Sequence, residues 1–199
     1  RNYGAWTFNY DQRLKLNTSF TGKDLLVARL RTGNFSKAGN GNAFGGSGVN
    51  LTALDIATDS GVPGAQNIVT LDRLFYKFPV GKEFTVIAGA LARNTESIAL
   101  WPSVYNKGAT KILDWTALMG TSAVYNKEVG QLIGAYWKQK VDKGQNAFSV
   151  SINYTADDDN GNETDPTSGG FMTGNSQASF LAQIGYAGPQ WGVAFGYRY

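Results

Sequence analysis

Trp6-Thr7-Phe8-Asn9-Tyr10-Asp11-Gln12-Arg13-Leu14-Lys15-Leu16-Asn17-Thr18-Ser19-Phe20 carries the reading of the fold. Trp6, Phe8, Tyr10, Leu14, Leu16 and Phe20 fall on even positions, and Thr7, Asn9, Asp11, Arg13, Lys15, Asn17 and Ser19 on odd ones. A period of two sends the two sets to opposite faces of one strand. The stretch predicts a strand of about fifteen residues, where soluble strands run to about five or six. Such a length suits a tilted strand that crosses a bilayer and projects beyond it.

Working outward, Thr21-Gly22-Lys23-Asp24 reads as a compact turn into a second strand, Leu25–Phe35. There Leu26, Ala28, Leu30 and Thr32 alternate with Val27, Arg29 and Arg31. A Gly/Asn/Ser-rich connection, Ser36–Gln66, follows, with a short helical possibility at Leu51–Ala57. Strands resume at Asn67–Phe78, turn through Pro79-Val80-Gly81-Lys82, and return as Glu83–Arg93. A second long connection, Asn94–Lys127, holds helical potential near Lys111–Leu118. Val129–Lys138 and Ala147–Thr155 read as strands about the turn Val141-Asp142-Lys143-Gly144. The acidic loop Ala156–Asn175 leads to the last pair, Ser176–Ala187 and Trp191–Tyr199, joined at Gly188-Pro189-Gln190. The eight predicted strands alternate short turns with long loops, the rhythm of outer-membrane barrels.

Composition agrees with strands. Of 199 residues, 42% are hydrophobic, 13% aromatic, 17% charged and 25 are Gly, a mixture that favours sheets and turns over a helical bundle. The absence of Cys removes disulfides and thiolate metal sites, and the absence of His removes the commonest acid–base catalyst and metal ligand. A net charge of +3 is mild. The mean hydropathy of −0.26 carries no spanning-helix signal, but a transmembrane barrel hides its membrane face in alternation. Arg1–Tyr10 lacks the basic start and apolar core of a signal peptide, so the chain is expected to be processed or to begin partway through a longer protein.

Leu14, Leu16, Ala28, Leu30, Leu74, Val86, Ala88 and Ala90 make up the face expected to meet lipid, with Asp72 an exception at a strand end. Trp6, Phe8, Phe20, Phe35, Tyr76, Phe78, Phe84, Tyr186 and Trp191 gather near strand ends, where interfacial aromatic girdles belong.

The opposite face carries the cations. Arg13 and Lys15 on the first strand and Arg29 and Arg31 on the second are brought close by the hairpin, and Arg73, Lys77 and Arg93 extend the set. Crowded like charges need water, anions or facing carboxylates. In a pore, such a basic wall opposite acidic loop residues sets ion preference; on a soluble sheet it is an ordinary solvated face. Nucleic-acid binding is disfavoured, because the aromatics lie on the face away from the cations and cannot stack beside them.

Asp157, Asp158, Asp159, Glu163 and Asp165 fail the calcium-loop pattern, which needs Gly at position six and Glu at twelve. Gly39–Gly46 misses the dinucleotide spacing and has no Gly-Lys-Ser/Thr after it. Without His no familiar hydrolase triad assembles, and no carboxylate pair stands out for glycosidase work. No catalytic, cofactor or metal residues are assigned.

Several stretches resemble the major outer-membrane porins of cyanobacteria, within the carbohydrate-selective, OprB-like porin family. They are Arg13-Leu14-Lys15-Leu16-Asn17-Thr18-Ser19-Phe20-Thr21-Gly22-Lys23-Asp24-Leu25-Leu26, Arg29-Leu30-Arg31-Thr32-Gly33-Asn34-Phe35, Leu74-Phe75-Tyr76-Lys77-Phe78-Pro79-Val80-Gly81, Ala99-Leu100-Trp101-Pro102-Ser103-Val104-Tyr105-Asn106 and Phe148-Ser149-Val150-Ser151-Ile152-Asn153-Tyr154. The resemblance implies an all-β transmembrane antiparallel β-barrel of about sixteen strands, roughly eight of them in this chain. On that reading residues 1–199 are part of one barrel domain in the cell outer membrane. The resemblance further implies a homotrimer, and a surface-layer-homology domain outside this chain that tethers the barrel to peptidoglycan. Permeants among such porins are inorganic ions, iron or sugars, passed by diffusion without a cofactor. One loop folds inward to narrow the channel, and Asn94–Lys127 is the candidate, ahead of Ser36–Gln66.

Three rival readings stand beside this one. A closed eight-stranded barrel would be filled by side chains and act as an anchor or adhesin; the ending Val193-Ala194-Phe195-Gly196-Tyr197-Arg198-Tyr199 suits its last strand. A soluble β-sheet carbohydrate-binding module would dissolve without detergent. A barrel-type membrane enzyme would hydrolyse lipid or glycan.

Overall fold

The computed structural model describes residues 6, 8–35, 67–101 and 123–199. The helical possibilities at 51–57 and 111–118, the glycine loop 39–46 and the connection 36–66 lie outside them. Eight strands form one sheet in chain order: β1 (Asp11–Thr18), β2 (Leu25–Gly33), β3 (Thr70–Val80), β4 (Phe84–Arg93), β5 (Val129–Lys138), β6 (Ala147–Thr155), β7 (Ser179–Ala187) and β8 (Gly192–Arg198). The sheet is antiparallel and open, with β1 and β8 at its edges. Helix among the described residues is confined to a 3-10 turn at Asn94–Ser97 and α1 (Asp158–Gly161). All eight predicted strands are present.

Two compact units divide the chain: Arg1–Leu16, Arg29–Asp72 and Ser103–Gly120 in the first, and Asn17–Ala28, Arg73–Pro102 and Thr121–Tyr199 in the second. Strand β1 is shorter than the fifteen residues its alternation predicts. The side chain of Asn34 explains why: it accepts from Tyr10 N–H at 2.7 Å and donates to the Phe8 carbonyl at 2.9 Å. The Asn34 backbone N–H still donates to the Tyr10 carbonyl at 3.3 Å, and beyond it the amide side chain takes the place of a backbone partner, so regular pairing stops there.

The second unit is a tightly registered meander. Phe84 faces Trp137 and Ala88 faces Ile133 between β4 and β5; Ala135 faces Ile152 between β5 and β6; Ile152 faces Ala182 between β6 and β7; Ile184 faces Phe195 between β7 and β8. Tight turns permit this. Gly22 and Gly81 adopt φ of 77° and 68°, left-handed values that cost a side-chain-bearing residue energy, and no neighbouring atom crowds either position. Val27, Phe75, Ile87, Ala92 and Leu132 make a small buried apolar cluster from β2 to β5, with Leu25 and Tyr136 against it.

Candidate functional site

Strands β6 and β7 show what the sheet's two faces are made of. On β6, Ser149, Ser151, Asn153 and Thr155 are buried while Phe148, Val150 and Ile152 are exposed. On β7, Ser179 and Gln183 are buried while Phe180 and Ile184 are exposed. The contrast is large: Ser151 is 1% and Gln183 2% accessible, against 49% for Ile152 and 57% for Ile184. β8 continues the apolar side with Val193, Phe195 and Tyr197. A water-soluble sheet places its faces the other way round.

Residues 94–101 and 123–128, the described ends of the second long connection, pack on the polar side. Asn153 Nδ2 donates to the Asn94 carbonyl at 2.9 Å, and the Ala99 N–H donates to Ser151 Oγ at 2.9 Å. From the far end, Tyr125 Oη accepts from Gln183 Nε2 at 2.8 Å, and Arg198 Nε donates to the Ala123 carbonyl at 2.7 Å. Small residues on the strands make room. A Cβ on Gly134 would stand 2.9 Å from Ser97 Cβ, one on Gly185 2.7 Å from Leu100 Cδ2, and one on Gly196 2.8 Å from Val124 Cγ1.

Aromatic rings border the apolar side in two rows. Near the short turns Phe20 meets Tyr76 edge-on, Tyr76 stacks on Phe78, Phe148 packs on Tyr186, and Tyr186 meets Trp191 edge-on. Near the long loops Tyr154 meets Phe171 edge-on and stands beside Phe180 in register. Phe148 and Tyr154 are six residues apart on β6, about 20 Å at a rise of about 3.4 Å.

The predicted cations fall into separate groups. In the first unit, Asp11 binds the guanidiniums of Arg13, at 3.2 Å, and Arg31. Asp72 binds Arg29, with Arg31 at 3.9 Å. Asp72 is therefore a counter-ion, not the stray charge on the apolar face that alternation suggests. Lys15 is exposed. In the second unit, Arg73 reaches Glu96 at 3.7 Å, and Lys77 Nζ sits 5.1 Å from the centre of the Tyr136 ring. Arg93 ends β4. Alternation places Asp11 on the face of Arg13 and marks Asp72 as an exception, but it does not pair Asp11, Asp72 or Glu96 with particular arginines.

The acidic loop closes on itself. Asp157 caps α1 by accepting from the Asp159 N–H, and Asp165 accepts from Thr167 N–H and Oγ1, which lowers its pKa. Burial raises the carboxyl pKa of Glu128, and neighbouring Asp157 raises it further. Among the described residues no cluster of metal-ligating side chains occurs.

Two relatives share this sequence pattern. An uncharacterized protein from Nostoc is 34% identical over 92 residues, covering 44% of this chain and 15% of that protein. An uncharacterized protein from Synechocystis is 28% identical over 192 residues, covering 96% of this chain and 31% of that protein. The chain thus spans less than a third of either relative's length. No family model matches the chain, and no solved structure matches it.

Proposed function

We propose that this chain forms part of an outer-membrane β-barrel porin, which passes small hydrophilic solutes and inorganic ions by passive diffusion. The observation that carries the reading is the inverted polarity of β6 and β7, with Ser151, Asn153 and Gln183 covered and Ile152, Ile184 and Phe180 bare. An exposed apolar face this continuous is costly in water and stable against acyl chains. The six strands β2 to β7, at nine to eleven residues each, and two aromatic rows support the same placement, since a tilted strand needs about nine to eleven residues to cross.

Closure of the barrel falls, on this reading, to strands beyond the eight here, toward the sixteen or so that the porin resemblance implies. The docking of the Asn94–Lys127 ends on the polar face supports that connection as the one narrowing the channel. The candidate lining on this reading is ion-paired Arg13, Arg29 and Arg31 with exposed Lys15 in one unit, and ion-paired Arg73 with half-buried Lys77 and Arg93 in the other. Trimer formation and the peptidoglycan tether rest on the resemblance.

The test is conductance of the full-length protein in planar bilayers. The account predicts discrete steps that scale with salt concentration and that persist with chloride, potassium or iron salts, while added sugars lower the step by occupying the channel. Membranes that stay silent at protein loads where known porins conduct would overturn it.

A further inference from the structure

We infer that the short-turn end of the polar face holds a binding site for a small organic carboxylate. A cavity of about 440 Å³ opens there, bounded by Leu100, the β5–β6 turn and the β7–β8 turn. This is the size of a small-molecule pocket. Lys138 and Lys140 line it with Gln145 and Ser149, and Leu100 and Val141 give it an apolar wall. Lys138 and Lys140 are the two cations of the lining and no carboxylate is among its residues; Glu83 lies beside Lys140, so an anion in the cavity chiefly compensates Lys138. Among the described residues Lys138 makes no ion pair.

The lysines stand on a fixed backbone. Lys138 N–H donates to the Glu83 carbonyl at 2.9 Å and Lys140 N–H to Glu83 Oε1 at 2.8 Å. From the other side Gln139 N–H donates to the Phe148 carbonyl at 2.9 Å and Gln139 Oε1 accepts from Phe148 N–H at 3.2 Å. The Glu83 carboxylate also accepts from the Trp137 indole at 2.9 Å. Lys138 and Ser149 are cross-strand partners, and Ser149 pairs in turn with Gly185, whose missing side chain lets Leu100 settle against it. Two lysines, an amide and a hydroxyl thus line the cavity together with a leucine and a valine. A carboxylate carrying a short hydrocarbon body fits this division, and a bare inorganic anion uses only half of it.

Butyrate is the probe, titrated by saturation-transfer NMR into the full chain in detergent, a readout that does not depend on channel formation. Saturable binding near 1 mM is expected. Lys138→Gln and Lys140→Gln should each weaken it about tenfold, and Gly185→Val should weaken it by displacing Leu100 without changing charge. Lys143→Gln, in the same turn but outside the cavity lining, should leave it unchanged. Unsaturable binding, equal loss in Lys143→Gln, or inorganic phosphate binding as tightly as butyrate would each overturn the site. Conductance without butyrate binding would remove the site alone, and butyrate binding without conductance would remove the channel alone.

Discussion

The Asp24 carboxylate gathers the first hairpin: it accepts from Thr21 N–H at 2.7 Å, Ser19 Oγ at 2.8 Å, Tyr76 Oη at 2.6 Å and Phe20 N–H at 3.1 Å. The Thr21 hydroxyl and then Tyr76 hold its pKa far below the ordinary carboxylate value of 3.8. The folded state therefore prefers the charged form. Its stabilisation is complete above the unfolded value and is lost progressively as pH falls below it. Asp24→Asn should lower the thermal midpoint at pH 7 and remove part of the acid sensitivity expected below pH 3.8, measured by circular dichroism in detergent. Glu128 works in the opposite sense. Burial raises its pKa above 4.5, so the folded state prefers the proton and stability declines as pH rises from 4.5 through the raised value. Glu128→Gln should flatten that decline, and an unchanged pH profile would count against the Glu128–Asp157 contact.

Elements show how much was legible. Period-two alternation located all eight strands, because one residue's shift in register moves a whole side-chain set to the wrong face. The turns followed from Gly22, Gly81 and Gly144. What alternation does not carry is the partner of a charge or the path of a loop. Asp72 reads as an anomaly until Arg29 stands beside it, and nothing local in Asn94–Lys127 announces that Tyr125 meets Gln183 fifty-eight residues on. The first strand's overestimate has the same origin, since Asn34 acts from just beyond the end of β2. At this scale Gln183→Leu should free the second connection. It leaves the buried Tyr125 hydroxyl without its donor, at a cost of about 1–3 kcal/mol. Faster limited proteolysis between residues 101 and 123 checks it.

For the whole molecule, the account requires that charge be tolerated on one face and rejected on the other. Ile152→Lys should destabilise the bilayer-inserted protein by about 2–4 kcal/mol, and Ile152→Leu, which keeps that exposed position apolar, by far less; urea unfolding from vesicles measures both. Arg29→Gln removes the cation that Asp72 binds, leaves a carboxylate in excess, and should shift ion selectivity toward cations in reversal-potential measurements. The most direct test is spin-label accessibility along residues 148–153 of the full-length protein in liposomes. Labels at 148, 150 and 152 should collide with oxygen in the hydrocarbon, and labels at 149, 151 and 153 should not. Uniform accessibility, or a water-soluble relaxer reaching 148, 150 and 152 first, would contradict the membrane placement on which the rest stands.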